Sequence, residues 1–276
     1  MRDLSIRTLT AVVYAAVVLS GVFHPGAFPF VFGAILGLTL WEFYGLMKHV
    51  GDVFPQRLAG TIGGVYLFLA SFVYANDWAD AAIYLPYILF LMYVFISELY
   101  SRAPHPVHNW AFLLLGQVYC AASLSLLNFI TFWSTDAAQG DLTPWPALAL
   151  FTFVWLNDTG AYLAGTILGH HPLFERISPR KSWEGFVGGL LLTLCSSQVF
   201  AFYLPAVAWY NWLGLSLVVV LFATWGDLTE SLMKRTLGIK DSGCLLPGHG
   251  GMLDRFDSIL MALPALYVYL KFFIQN

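Results

Sequence analysis

The sequence predicts an all-α polytopic membrane protein, a helical bundle of about nine transmembrane helices with its N-terminus in the cytoplasm. The first observation is composition: of 276 residues, 59% are apolar and only 11% are charged, against about 25% charged in soluble domains. A soluble globule of this size cannot hide so much apolar surface. That excludes a disordered chain, a basic nucleic-acid binder and most soluble enzymes. The second observation is a set of long charge-free runs, and the third is the placement of the basic residues.

Apolar runs of about 20 residues, the length needed to cross a bilayer, define the elements in order. No charged side chain occurs between Glu184 and Asp227, a stretch that holds two helices on either side of Pro205. Another such run, between Arg102 and Asp136, holds one helix and a loop. The first apolar run follows a basic N-terminus and also fits a cleaved signal peptide, but no A-x-A-like site follows it, which favours an uncleaved helix. The predicted helices span 5–23, 27–47, 58–75, 80–99, 108–128, 145–168, 185–204, 207–224 and 257–273.

The basic residues set the orientation, because Lys and Arg concentrate on the cytoplasmic side of membrane proteins. With nine helices and a cytoplasmic N-terminus, every Lys and Arg except Lys271 falls on the cytoplasmic side. The outer loops carry Asp77, Asp80, Asp136 and Asp141 and no basic residue. One helix more or fewer would destroy this sorting, so the charge distribution independently supports the count of nine.

The chain divides into two regions by the polarity of its loops. Residues 1–140 are predicted to hold about five N-terminal transmembrane helices. Residues 141–276 are predicted to form a C-terminal catalytic region with two cytoplasmic loops, 169–184 and 226–257. The second loop mixes acidic, basic, glycine and histidine residues more densely than the rest of the chain does.

The first half of the second loop is predicted to continue the eighth helix. Asp227, Glu230, Ser231, Lys234 and Arg235 then follow one another at helical spacing and share one face. One interpretation is simple pairing on a solvated face, with Glu230 and Lys234 as the obvious pair. The other is a functional stripe of a carboxylate, a hydroxyl and two cations, which we favour because the helix leaves the membrane next to a glycine-rich loop.

That loop runs from Pro247 through Gly248, His249, Gly250 and Gly251. Glycines let backbone N–H groups approach an anion closely, although a plain turn explains the pattern about as well. Two carboxylates follow it, Asp254 and Asp257. Beside a glycine loop and a Lys-Arg pair, such carboxylates suit Mg²⁺-assisted phosphoryl chemistry, because Mg²⁺ takes one or two carboxylates plus phosphate oxygens. An N-cap on the ninth helix is the alternative for Asp257.

Two further candidates lie upstream. Asp158 falls inside the sixth predicted helix, and an intramembrane carboxylate is a functional candidate by default, although its polar neighbours could satisfy it structurally. Ser178, Arg180 and Lys181 lie in the first cytoplasmic loop and could clamp a phosphate at the interface. Ordinary positive-inside anchoring explains these cations equally well.

Three polar stretches carry a resemblance to a known family. They read Asn157-Asp-Thr-Gly-Ala-Tyr162, then Ser178-Pro-Arg-Lys-Ser-Trp-Glu-Gly185, then an ungapped run from Ser231-Leu-Met-Lys-Arg through Lys240-Asp-Ser-Gly to Leu246-Pro-Gly-His-Gly-Gly-Met-Leu-Asp-Arg-Phe-Asp257. Together they resemble the signature of phosphatidate cytidylyltransferases, also called CDP-diglyceride synthetases. The second stretch departs mildly, with Arg180 where Lys is usual and Ser182 where Thr is usual. For residues 1–140 the resemblance rests on hydropathy and on Trp41-Glu-Phe-Tyr44.

The resemblance implies a bundle of about nine helices that makes CDP-diacylglycerol and pyrophosphate from CTP and phosphatidic acid with Mg²⁺, as a homodimer. The expected location is the cytoplasmic membrane of a bacterium, with the active site facing the cytoplasm and no nucleic-acid partner. On this basis we assign Asp227 and Asp254 as metal ligands, with Asp257 as a further ligand or support and the identity of any second metal ion open. Lys234 and Arg235 are assigned with these carboxylates as catalytic residues that hold the triphosphate oxygens. The substrate-binding assignments are Ser231, Lys240, Gly248, His249, Gly250, Gly251 and Arg255, with Ser178 and Lys181 on the lipid phosphate and Asp158 facing the polar cavity.

Two other functions stay open. A CTP-dependent polyprenol or dolichol kinase of related architecture would transfer the γ-phosphoryl group and release CDP instead of pyrophosphate. An ion-coupled transporter would show paired, broken helices related by a repeat, and the sequence has no such repeat.

Overall fold

The computed structural model describes residues 2–51, 53–132, 144–243 and 250–274. Within these ranges the chain is almost entirely helical. A short turn of wider helix, Gln117–Ala122, joins the fifth helix to the sixth, and one small hairpin follows the seventh. The elements are α1 Arg2–Phe23, α2 Phe28–Leu46, α3 Arg57–Ala75, α4 Leu85–Ser101, α5 Pro106–Gly116, α6 Ser123–Thr131, α7 Trp145–Leu168, β1 Pro172–Phe174, β2 Ser178–Ser182, α8 Trp183–Tyr203, α9 Trp209–Thr236 and α10 Leu253–Phe273.

Seven helical segments of the described chain are long and apolar enough to cross a membrane. They are Phe28–His49, Arg57–Ala75, Ala81–Ser101, Pro106–Thr131, Trp183–Tyr203, Trp209–Thr236 and Leu253–Phe273. Many of their apolar side chains face outward: in α4, Leu89 is 65% exposed and Leu99 is 71% exposed. Water would penalise such surfaces by about 25 cal/mol per Å², whereas lipid does not. The structure therefore confirms an all-α membrane protein.

The other two predicted transmembrane segments, 5–23 and 145–168, are helices as well, namely α1 and α7. They are not among the seven: the described side chains of α1 give a shorter apolar helix, Leu9–Phe23, and α7 carries Asn157 and Asp158. A count of nine crossings and a cytoplasmic N-terminus stay predictions.

One local expectation needs correction, and another is confirmed. Residues 169–184 were expected to form a loop, but they contain the antiparallel hairpin of β1 and β2, with Pro172 opposite Ser182. The predicted continuation of the eighth helix into the second loop is confirmed, because α9 runs without a break to Thr236. The hairpin differs from the expected loop because apolar runs mark only what lies in lipid, and polar residues beyond them can still adopt regular structure.

The chain folds into two compact units, which are described separately below. The first comprises residues 1–132 and 236–256, and the second comprises residues 133–235 and 257–276. The predicted division of the sequence into an N-terminal region, 1–140, and a catalytic region, 141–276, stays a prediction.

The core of the first unit is aromatic. Phe28, Phe32, Phe68, Phe72 and Phe132 pack with ring centroids 4.9–6.0 Å apart. Aromatic rings bury large areas and gain further from edge-on and offset contacts. Three helices, α2, α3 and α6, are thereby joined around one cluster.

The buried polar groups around Gln117 in the first unit form a hydrogen-bond network. The Nε2 amide of Gln117 donates to the Tyr44 hydroxyl and to the Gly60 carbonyl, each at 2.7 Å, and its Oε1 accepts from the Tyr87 hydroxyl at 3.1 Å. Gln117 opens the wider turn of helix after α5. An unsatisfied polar group in lipid costs several kcal/mol, so this network stabilises the irregular turn.

Helices α7 and α8 of the second unit pack backbone against backbone. A methyl group at Gly160 would lie 2.9 Å from the Gly188 carbonyl oxygen, and one at Gly185 would lie 2.9 Å from the Ala161 carbonyl oxygen. Small residues permit such approach between membrane helices, where dispersion contacts replace the hydrophobic effect. This close packing sets the Asp158 turn of α7 beside the start of α8.

The hairpin ends directly in α8 because the first turn of that helix is capped. The Ser182 hydroxyl accepts from the Gly185 N–H at 3.1 Å, which satisfies one of the free donors of a helix N-terminus. The Glu184 carboxylate accepts from the backbone N–H groups of His170 and His171, each at 3.2 Å, and from the His171 ring at 2.5 Å. Strand β2, with its cations Arg180 and Lys181, is thereby held at the N-terminal end of α8.

Candidate active site

A polar cavity of about 390 Å³ lies within the second unit. Five elements contribute to its wall: α7, the hairpin, α8, α9 and the start of α10. Its charged lining residues are Asp158, Arg180, Lys181 and Asp227. Ser178, Thr224 and Ser258 add hydroxyl groups, and Phe186 and Leu173 add apolar surface. A cavity of this volume with a few converging polar groups is typical of a small-ligand site.

Asp227 lies at the centre of the polar contacts in this cavity. Its Oδ2 forms an ion pair with the Lys181 ammonium, and its Oδ1 accepts from the Ser231 hydroxyl at 3.2 Å. The Lys181 and Asp227 side chains are 31% and 28% exposed, so the pair is partly shielded from water. Sequence reasoning placed Lys181 and Asp227 in different groups, one on the lipid phosphate and one on the metal, whereas the structure joins them.

Asp257 belongs to the same electrostatic group. It interacts with the charges of Asp227, Asp158 and Lys181, and its Oδ1 accepts from the Ser258 N–H at 2.6 Å. Because α10 begins at Leu253, Asp257 lies in the second turn of the helix. The alternative of an N-cap role for Asp257 is therefore wrong.

The second half of the predicted stripe on α9 lies further from the cavity wall. Glu230 is fully buried and pairs with Lys234 at 2.5 Å. The expected pair thus exists, but its carboxylate is buried rather than on a solvated face. The Arg235 Nε donates to the Ile177 carbonyl in the hairpin turn at 3.5 Å, so the end of α9 contacts the turn that precedes Ser178.

The remaining predicted residues lie in the first unit or outside the described chain. The Asp254 carboxylate accepts from the Ser242 N–H at 3.0 Å and from the Gly251 N–H at 2.8 Å. Gly250 has a φ of +84°, a conformation that favours glycine. Lys240 and Arg255 are exposed. Gly248 and His249 lie outside the described residues.

Sequence reasoning gave Glu42 no role in the site. The Glu42 Oε2 accepts from the Leu253 N–H at 2.9 Å and from the Ser242 hydroxyl at 3.4 Å. No sequence signal links two residues about 200 positions apart, although a carboxylate near the polar end of an apolar helix marks Glu42 as a candidate.

Comparison with known proteins agrees with these motifs. The model of the cytidylyltransferase family matches residues 5–273. A phosphatidate cytidylyltransferase of Staphylococcus aureus (strain COL) is 33% identical over 270 residues, which cover 97% of this chain and 99% of that protein. The proteins of the same name from Staphylococcus haemolyticus and Staphylococcus saprophyticus are 33% and 30% identical, with the same coverage of both chains. The resemblance inferred from the motifs is therefore confirmed, and the chain belongs to the cytidylyltransferase family.

Proposed function

We propose that this chain is a phosphatidate cytidylyltransferase, which transfers CMP from CTP to phosphatidic acid and forms CDP-diacylglycerol and pyrophosphate. The observation that carries the proposal is the polar cavity of the second unit, where Lys181 pairs with Asp227 beside Ser178 and Arg180. Cations and carboxylates together in a membrane protein suit a substrate that is both a lipid and a phosphate. The family match and the relatives' names support the same reaction.

The reaction requires two polyanions to approach each other. A phosphate oxygen of phosphatidic acid attacks the α-phosphorus of CTP, a new P–O bond forms, and the bond to the β-phosphate oxygen breaks as pyrophosphate leaves. The nucleophile is already an anion at neutral pH, so it needs no strong general base. The protein must instead neutralise and orient the phosphates.

Mg²⁺ is the proposed cofactor, and the residues fit it. Asp227, Asp257 and Asp158 bring carboxylate oxygens into one electrostatic group, with Lys181 as the counter-charge. In the described parts of the chain, no three His, Cys, Asp or Glu side chains already form a metal-ligand group. Mg²⁺ needs only one or two carboxylates, because substrate phosphates and water complete its six ligands. Bound there, the ion would supply Lewis acidity and charge neutralisation at the phosphates.

Asp227 and Asp254 are the proposed ligands, with Asp257 as a further ligand or support and room for a second metal ion. Asp227 fits this role because it lines the cavity and because its Oδ1, which is not the oxygen paired with Lys181, accepts from the Ser231 hydroxyl at 3.2 Å. The role of Asp254 rests on the sequence motif. Its contacts with Ser242 and Gly251 give it a second task, that of ordering the segment before α10.

The cations divide between the two substrates. We propose that Ser178 and Lys181 bind the lipid phosphate, since both line the cavity and phosphate oxygens form strong hydrogen bonds with ammonium and hydroxyl donors. The contact between Lys181 and Asp227 then joins the lipid side to the metal side. The groups proposed for the triphosphate of CTP are Lys234, Arg235, Ser231, Lys240, His249, Arg255 and the amides of Gly248–Gly251.

The proposed setting is a bacterial cytoplasmic membrane, with nine crossings, a cytoplasmic N-terminus and the cavity facing the cytoplasm. CTP is a cytosolic nucleotide, and a lipid headgroup in the inner leaflet lies at the same surface. The sorting of basic residues supports this orientation. We further propose that the protein works as a homodimer, as the family resemblance implies.

One assay tests the function. Purified protein in mixed micelles is given phosphatidic acid and CTP labelled in the cytidine, with and without Mg²⁺, and both products are followed. We expect lipid-linked CMP and an equal amount of pyrophosphate, only with Mg²⁺. Release of labelled CDP with a phosphorylated lipid would instead identify a CTP-dependent lipid kinase, and absence of both products would refute the proposal.

A further inference from the structure

Two carboxylates hold the ends of the glycine-rich segment in the first unit. The Asp254 carboxylate accepts from the backbone N–H groups of Ser242 and Gly251, and both donors belong to the motif itself. Glu42 comes from near the C-terminal end of α2. Its Oε2 accepts from the Leu253 N–H at 2.9 Å and from the Ser242 hydroxyl at 3.4 Å. Glu42 therefore contacts the segment both before and after its glycines.

The hydrogen bond from the Leu253 N–H to Glu42 caps the N-terminus of α10 with a side chain from another helix. Leu253 is the first residue of α10, so its N–H has no acceptor within the helix. A carboxylate is the favoured partner there, because the N-terminus of a helix carries partial positive charge. Glu42 thus gives α10 the cap that its own preceding residues, Gly251 and Met252, do not supply.

Two glycines allow the carboxylate to come this close. A methyl group at Gly243 would lie 2.6 Å from the Glu42 Oε1, and one at Gly251 would also overlap the Glu42 carboxylate. Glu42 is the movable partner, because its carboxylate is at the far end of a flexible side chain. A side chain at either glycine would push the carboxylate away from the Leu253 N–H.

Arg57 supports Glu42 from the other side. Its Nε donates to the Trp41 carbonyl at 2.6 Å, and its guanidinium lies 4.0 Å from the centre of the Trp41 ring. Arg57 also interacts electrostatically with Glu42. Arg57, the first residue of α3, therefore helps to position the Glu42 carboxylate that caps α10.

We propose that Glu42 is a positioning residue for the nucleotide side of the active site. It acts by holding Ser242 and Leu253, and with them the backbone that carries Asp254 and Arg255. This inference rests on the proposed function, because it assigns Asp254 and Arg255 to the metal and to CTP. It gives the N-terminal helices a part in catalysis beyond membrane anchoring.

Hydrogen exchange tests the contact without any reference to activity. The full-length protein in nanodiscs is compared as wild type, Glu42→Ala, Glu42→Gln and Gly243→Ala. We expect exchange of the Leu253 amide to become at least tenfold faster in Glu42→Ala and in Gly243→Ala, and to be intermediate in Glu42→Gln, whose amide oxygen accepts without charge. The control is Glu98→Gln, a buried carboxylate of the same unit that contacts Ser101 and Asn109 and should leave Leu253 unchanged.

Kinetics then separate positioning from general loss of structure. Glu42→Ala should lower kcat/KM for CTP at least tenfold while the KM for phosphatidic acid changes less than twofold, and Glu42→Gln should recover most of the loss. Unchanged Leu253 exchange, normal turnover or equal effects on both substrates would each overturn the inference. If the wild-type protein makes no CDP-lipid, the proposed function fails, and the exchange experiment still decides whether Glu42 holds α10.

Discussion

Replacing Asp227 by Asn separates the chemistry of the cavity from its stability. The change is nearly isosteric, and the amide oxygen can still accept from Ser231, which contacts Asp227 at 3.2 Å. The ion pair with Lys181 is lost, and so is the negative charge proposed to hold Mg²⁺. The two losses have very different magnitudes, which makes the prediction quantitative.

The stability cost should be small. Both partners of the Lys181–Asp227 pair are about one-third exposed, and partly solvated ion pairs contribute at most about 1 kcal/mol. The catalytic cost should be large, because a metal ion supplies several kcal/mol of transition-state stabilisation. A loss of about 4 kcal/mol lowers the rate by about 10³, at about 1.4 kcal/mol for each tenfold.

The assay follows lipid-linked CMP over a Mg²⁺ titration, with thermal unfolding measured on the same samples. We expect Asp227→Asn and Asp254→Asn each to lose at least ~10³ in turnover, and the double variant to be scarcely worse, since both would act through one ion. Glu175→Gln, which removes an exposed charge from the hairpin of the second unit, is the matched control and should stay within twofold. Near-full turnover of Asp227→Asn at saturating Mg²⁺, or effects that multiply in the double variant, would refute a shared metal.

Three further predictions concern the lipid side, the topology and the packing. Lys181→Ala should raise the KM for phosphatidic acid about tenfold and the KM for CTP much less, because a charge-assisted hydrogen bond contributes about 1.5–3 kcal/mol. The control is Arg176→Ala, at an exposed hairpin position. Equal increases in both KM values would move Lys181 to the nucleotide side. An impermeant thiol reagent applied to intact cells should label a single cysteine near position 77 but not one near 105 or 175, and the reverse pattern would invert the orientation. Gly160→Ala should destabilise the protein by about 1–3 kcal/mol in thermal unfolding, because its methyl group meets the α8 backbone. Gly26→Ala, with open space around it, should lower the stability far less in the same experiment.

The helices could be predicted closely where lipid sets their ends. The predicted 27–47 and 58–75 correspond to Phe28–Leu46 and Arg57–Ala75, because a change from apolar to polar residues marks where the chain leaves the bilayer. The prediction was weaker where polar chain continues a fold outside lipid. The β1–β2 hairpin shows no apolar run, so nothing in hydropathy distinguishes it from loop. The last three turns of α9 also lack an apolar run, but the helical spacing of their polar residues predicted them.

The candidate site divides in the same way. The types of residue followed from the motifs, because carboxylates and cations beside glycines have few other uses at a membrane surface. Which of these residues pair with each other did not follow from the motifs. Glu230 pairs with Lys234 one turn away, as helical spacing requires, whereas Lys181 and Asp227 are joined only by the packing of the hairpin against α9.

By itself the sequence determined the class of protein, most of the helices and the family, because composition, apolar length and an ungapped motif are local properties of the chain. Only the tertiary structure decided that Lys181 neutralises Asp227, that Asp257 joins their electrostatic group, and that Glu42 caps α10 from about 200 residues away. The physical reason is that a charge inside a membrane protein needs a partner of opposite charge or a hydrogen-bond donor. Which partner a charge finds depends on how closely the helices approach each other. Glycines and aromatic rings set that distance, and the sequence alone does not show which of them are in contact.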